Sequence, residues 1–125
     1  MTAGFGLVGS MGLLSLARWQ WQGYGLYHQT MRNLLVHIVA VPMFLLGNVL
    51  VAVGLVVGTW WVAAVGALLS GAAFAVQGVG HKGEPVPPVP FSGPGNAAAR
   101  VFLEQWVTFP RFVLSGGWAE NLRAA

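Results

Sequence analysis

The 125-residue chain has no cysteine, and only nine of its residues are charged, six Lys or Arg and three Asp or Glu. Without cysteine there are no disulfides, no thiolate metal sites, no cysteine nucleophile and no cysteine-linked lipid. The shortage of charge excludes more. A soluble domain carries roughly a quarter of its residues as Asp, Glu, Lys or Arg. A chain that is 7% charged and 56% hydrophobic cannot cover such a surface. The formal net charge of +3 comes from basic residues scattered along the chain, which give no nucleic-acid footprint. Membrane lipids are the better acidic partner. The length allows one domain, and the composition indicates a small integral membrane protein.

No charged residue occurs between Asn33 and Gly80. As helix this stretch is about 72 Å long at about 1.5 Å per residue, enough for two crossings of a roughly 30 Å hydrocarbon core. The break falls at Gly58-Thr59, where turn formers meet the interface-seeking pair Trp60-Trp61. The expectation is an all-α integral membrane protein. Its centre is a transmembrane hairpin over 31–57 and 60–80, flanked by an N-terminal interfacial segment over 1–29 and a C-terminal one over 96–118. Pro42 and Gly47-Asn48 allow a split first span as the alternative. Arg18, Arg32, Lys82, Arg100, Arg111 and Arg123 all lie on the terminal side of the hairpin. The positive-inside rule then places both termini in the cytoplasm, as for a bacterial inner-membrane protein. The opening Met-Thr-Ala-Gly lacks the basic region of a signal peptide, so Phe5 to Leu16 is expected to stay as a buried or interfacial helix, with Trp19 and Trp21 at the headgroups.

Residues 85–95 form a proline-rich connector, with five of the seven prolines between 85 and 94. Asn96 is a candidate cap for the next helix. There Arg100, Glu104, Thr108 and Arg111 share one face and Phe102, Trp106 and Phe109 the other, until Pro110 disturbs the ladder. Such a segment suits the membrane surface or the end of the hairpin. Gly54-x-x-x-Gly58 fits either close packing within the chain or association of copies into a homo-oligomer.

Polar residues inside an apolar span need a partner or a role. Asn33, His37 and Asn48 share a face of the first span, and Ser70, Gln77 and His81 share a face of the second. Interhelical hydrogen bonding accounts for Asn48 and Ser70. The hairpin brings the only three histidines, His28, His37 and His81, to its basic end, provided the chain turns before Thr30, a candidate helix cap. Three imidazoles with Glu84 nearby make a candidate site for Fe(II), Zn or Cu. Interfacial histidines satisfied by ordinary hydrogen bonds are the alternative.

Tyr27-His28, Asn33, His37, Val41-Pro42 and Gln77-Gly78-Val79-Gly80-His81, followed by Glu84 and Pro88, resemble the membrane 2-hydroxy fatty acid dioxygenase family. So do Glu104-Gln105 and the run from Thr108 to Trp118. The resemblance implies an Fe(2+) enzyme that cleaves a 2-hydroxy fatty acid with O2, releasing CO2 and an acid one carbon shorter. It implies His28, His37 and His81 as iron ligands, with water, Glu84 or Asn33 at a fourth position. Tyr27 and Asn33 are candidates to fix a histidine ring or donate a hydrogen bond. Lys82, Arg32 and Arg100 are candidates to pair with the substrate carboxylate, or else to reach headgroups. Two other classes stay open: a haem protein with His37 and His81 as axial ligands, and a small membrane assembly protein without chemistry.

Overall fold

The computed structural model describes residues 9–125, so the first four residues of the stretch from Phe5 to Leu16 lie outside the described residues. Among the described residues every regular element is helical. The order is α1 (Leu13–Gly23), a 3-10 turn (Tyr24–Tyr27), α2 (Met31–Val57), α3 (Trp60–His81), α4 (Pro94–Leu103), a π-helical turn (Glu104–Thr108), α5 (Phe109–Leu114) and α6 (Gly117–Ala124).

Helices α2 and α3 form an antiparallel hairpin and are, among the described residues, the two helices long and apolar enough to cross a membrane. In their most apolar 18-residue windows only 28% and 17% of residues are buried within the chain. Most of their apolar surface therefore has no protein partner. The turn sits where the sequence places it. Gly58 adopts φ 78°, a left-handed conformation that favours glycine, and its N–H donates to Gly54 O. The seam between the helices is made of small residues. A Cβ on Gly47 would lie 2.7 Å from Gly66 O, and one on Gly66 would lie 2.5 Å from Gly47 O. Beside them Asn48 Nδ2 donates to Ser70 Oγ at 2.9 Å, the interhelical bond expected of that pair.

One alternative is decided and two expectations are corrected. The first span is one continuous helix through Pro42, held on both sides of the proline by buried Val41 and Phe44. Within the chain, Gly54 of the Gly54-x-x-x-Gly58 pattern lies against the Ala63 backbone and Gly58 makes the turn. Contrary to expectation, Asn96 does not cap α4. The helix starts at Pro94, whose fixed φ and missing N–H suit the first turn, and Asn96 Oδ1 accepts from Ser92 N instead. The C-terminal segment also does not keep Phe109 on the face of Phe102 and Trp106. Arg100 and Thr108 are buried while Phe102 and Trp106 are about half exposed. Phe109, seven residues after Phe102, would share its outward face at about 100° per residue. The wider π turn rotates it inward, where it joins Tyr24, Leu34, Val41 and Phe112 in the core.

The glycine seam gives a first prediction. Gly66→Val puts a branched side chain onto backbone atoms of α2, and overpacking of this kind costs about 1–3 kcal/mol. Thermal unfolding in detergent, followed by circular dichroism, should show a lower midpoint than wild type. Gly71→Val should change it little, because a Cβ there would meet nothing within 4 Å.

Candidate metal centre

Each of four elements delivers one donor side chain to a single point. His28 follows the 3-10 turn, His37 lies in the second turn of α2, His81 ends α3 and Glu104 opens the π turn. One ligand atom from each of these residues can be chosen so that all four lie within 4.8 Å of one another. The imidazole centroids are 4.6 Å (His28 and His37), 4.7 Å (His28 and His81) and 5.1 Å (His37 and His81) apart.

The hydrogen bonds determine what the rings present. His28 Nδ1 lies 2.7 Å from Tyr24 O, and His37 Nδ1 lies 3.0 Å from Asn33 O. A carbonyl only accepts, so each Nδ1 carries a proton, and in the neutral tautomer the Nε2 lone pair then faces inward. Both Nε2 atoms are buried without a hydrogen-bond partner among the described residues, as is His81 Nδ1. Glu104 Oε2 lies 3.4 Å from His28 Nε2 and 3.6 Å from His37 Nε2. Lone pairs facing a carboxylate at this range repel unless a cation lies between them. Bonds of about 2.0–2.2 Å at near-tetrahedral angles put donor atoms about 3.3–3.6 Å apart, which is the spacing of Glu104 Oε2 from the two Nε2 atoms. The residues fit a divalent ion of borderline softness.

Tyr24 completes the surroundings. Its hydroxyl donates to Glu104 Oε2 at 2.7 Å, and its ring stacks on His28 at 3.9 Å. Burial pushes the phenol pKa well up, and the neighbouring carboxylate adds to the rise, so Tyr24 stays protonated as a donor. The π turn that aims Glu104 is braced from both sides. Gln105 and Gln77 exchange amide hydrogen bonds at 2.7 and 2.9 Å, and Gln20 donates to Arg100 O and accepts from Thr108 Oγ1.

Glu84 is not part of the cluster. Its carboxylate accepts from Gln29 N, Thr30 N, Thr30 Oγ1 and Asn33 Nδ2 at 2.8–3.0 Å, so both oxygens cap the start of α2. Asn33 likewise supports this cap, and its Nδ2 also reaches Tyr27 O. Its Oδ1 occupies the space over Gly80, where a Cβ would be 2.5 Å away. The phenol at the carboxylate belongs to Tyr24, while Tyr27 lines the adjoining cavity.

That cavity holds about 490 Å³ and is walled mainly by apolar groups of α1, α3, α4 and the connector, among them Trp19, Phe74, Phe91 and Val101. All four cluster residues line it, and among the described residues Arg100 is its one Lys or Arg. The Arg100 guanidinium donates to Val89 O and Pro90 O and lies over the rings of Trp19 and Phe91. Arg32 instead donates to Val79 O on the outside, and Lys82 is exposed. Trp19 and Trp21 each meet an arginine, Arg100 and Arg111.

Sequence reasoning missed Glu104 as a donor and Tyr24 as its partner. A signal was present: Glu104 is one of only three acidic residues in the chain and stands between Phe102 and Trp106. Comparison with family models, with curated proteins and with solved structures gives no match.

The two carboxylates should separate by experiment. Glu104→Ala should weaken Co(II) or Zn(II) binding in a competition titration by more than the roughly 10–100-fold typical of an outer partner, and Glu84→Gln should stay within that range. Glu84 should differ in its pH dependence. Burial raises its pKa, but the four donors outweigh burial and lower it from the ordinary 4.5. Its contribution is then complete above that value and lost as pH falls through the lower, folded-state value. Melting curves of wild type and Glu84→Gln should differ at neutral pH and converge in acid.

Proposed function

We propose that this protein is a membrane-embedded, Fe(II)-dependent dioxygenase that shortens 2-hydroxy fatty acids by one carbon. The observation that carries the metal reading is the set of buried, unpartnered imidazole nitrogens facing the Glu104 carboxylate. Iron and the substrate come from the resemblance of the motifs around these histidines. Lipids that surround the apolar faces of α2 and α3, the 2-hydroxy acid and O2 are the partners, and the basic end of the hairpin faces the cytoplasm of a bacterial cell.

The overall conversion balances without a further reductant. A 2-hydroxy acid and O2 give the shortened acid, CO2 and water, and O2 accepts the four electrons released by cleavage of the bond between C1 and C2. Bound Fe(II) would supply the one-electron chemistry that lets O2 react with a closed-shell acid. The chain does the rest. His28, His37, His81 and Glu104 hold the ion, the aromatic and proline walls exclude water, and Arg100 supplies positive charge in the same cavity. At about 30 Å³ for each water-sized group, the cavity holds roughly sixteen such groups, enough for much of an acyl chain.

A haem between His37 and His81 fits the geometry poorly. Their rings are 5.1 Å apart, and His28 lies within 4.7 Å of both, where the porphyrin would have to pass.

Protein purified without oxygen and loaded with Fe(II) should consume O2 and convert a long-chain 2-hydroxy acid to the acid one carbon shorter. His28→Ala, His37→Ala and His81→Ala should each abolish product and bound iron. A triple alanine variant with full activity would overturn the assignment, and absence of any bound metal would favour an assembly protein without chemistry.

A further inference from the structure

The cluster contains a feature that the choice of metal and substrate leaves unexplained. Both hydrogen-bonding and donor functions of Glu104 converge on one oxygen. Oε2 receives the Tyr24 hydroxyl at 2.7 Å and also faces His28 Nε2 and His37 Nε2. Among the described residues no bond to Oε1 accompanies them. A carboxylate that chelates an ion must turn until both oxygens face it, and that rotation would take Oε2 away from the phenol. Tyr24 cannot follow, because it is 3% exposed, its ring is stacked on His28 and its carbonyl holds His28 Nδ1.

We infer that Tyr24 is a positioning residue that keeps Glu104 a one-oxygen ligand, and so keeps a coordination position free for an exogenous ligand on the cavity side. This rests on the metal reading of the cluster but on neither the identity of the metal nor the substrate. Three imidazoles and one carboxylate oxygen are four donors, so an ion that takes five or six ligands keeps a position open, whereas chelation by Glu104 fills one more. The same phenol reaches two ligands, Glu104 through its hydroxyl and His28 through its ring. Only the first of these is lost in Tyr24→Phe.

Co(II) provides the test, because its visible absorption is strong in four- and five-coordinate sites and weak in six-coordinate ones. Wild-type protein in detergent should bind one Co(II), show intense visible bands and change them on titration with azide. Tyr24→Phe should keep one Co(II) per chain, show weaker bands and bind azide roughly tenfold less tightly, the size of effect common for an outer partner. In a Glu104→Gln background, where the neutral amide does not chelate, adding Tyr24→Phe should change neither readout, which isolates the pairwise effect. An unchanged spectrum and azide affinity in Tyr24→Phe would overturn the inference. So would an equal change in the Glu104→Gln background, or loss of the ion from Tyr24→Phe, since each shows the tyrosine acting other than through the mode of Glu104 binding. If wild type takes up no Co(II), Zn(II) or Fe(II), the metal reading itself fails, which is a separate result.

Discussion

The Glu84 carboxylate is the knot on which the site depends. Helix α2 begins with N–H groups that lack intrahelical partners, and its N-terminus carries partial positive charge. Glu84, three residues beyond His81, places both oxygens there and collects donors from Gln29, Thr30 and Asn33. Gln29 is the neighbour of His28, and Asn33 lies one turn before His37, whose ring it holds through its carbonyl. A single acid thus ties the end of α3 to the segment carrying His28 and to the turn that orients His37. Gly80 permits this approach, because Asn33 Oδ1 occupies the place of a side chain.

The C-terminal helices solve a different problem, which is how to cover a polar site in an apolar molecule. A helix lying on a soluble core turns its apolar face inward. Here Arg100, Glu104, Gln105 and Thr108 turn inward to the cavity and to Gln20 and Gln77, while Phe102 and Trp106 lie about half exposed along Phe44 and Asn48 of α2. That polarity is stable only where the outside is itself apolar or interfacial, and in that respect it agrees with the bare faces of α2 and α3. The π turn reconciles the two demands on one helix. It rotates Phe109 and Phe112 into the core after the polar set has been delivered to the site.

The hairpin was legible because its signals are one-dimensional. An uncharged run of fixed length, a glycine turn with tryptophans and small residues at the seam each act locally, and α2 and α3 lie within a residue of their expected ends. The convergence of the histidines was legible for the same reason, since the hairpin alone brings His37 and His81 together and a turn before Thr30 suffices for His28. Glu104 was not. Its place depends on the C-terminal helix folding back with its polar face inward and on a turn wider than an α-helical one, and neither is written in periodicity. Glu84 was misread for a related reason. Proximity to His81 in sequence brings a carboxylate near the site, but the backbone N–H groups of Gln29 and Thr30 and the side chains of Thr30 and Asn33 hold both of its oxygens ahead of α2.

Charge connects these features to the proposed chemistry. In a chain with nine charges, few are available to balance any ligand, so the balance at the cavity must be local. A divalent ion held by three neutral imidazoles and one carboxylate leaves one positive charge, and Arg100 on the same cavity adds a second. Arg100 is only partly spent, because carbonyls of the connector neutralise no charge. A ligand with a neutral head would leave both charges uncompensated in apolar surroundings, which is costly. A carboxylate with a long apolar chain compensates one of them and fills the rest of the cavity with surface like its walls. In the proposed reading, selection of an acid over the corresponding alcohol therefore follows from the charge of the site as a whole, with no single lysine or arginine serving as a dedicated anchor.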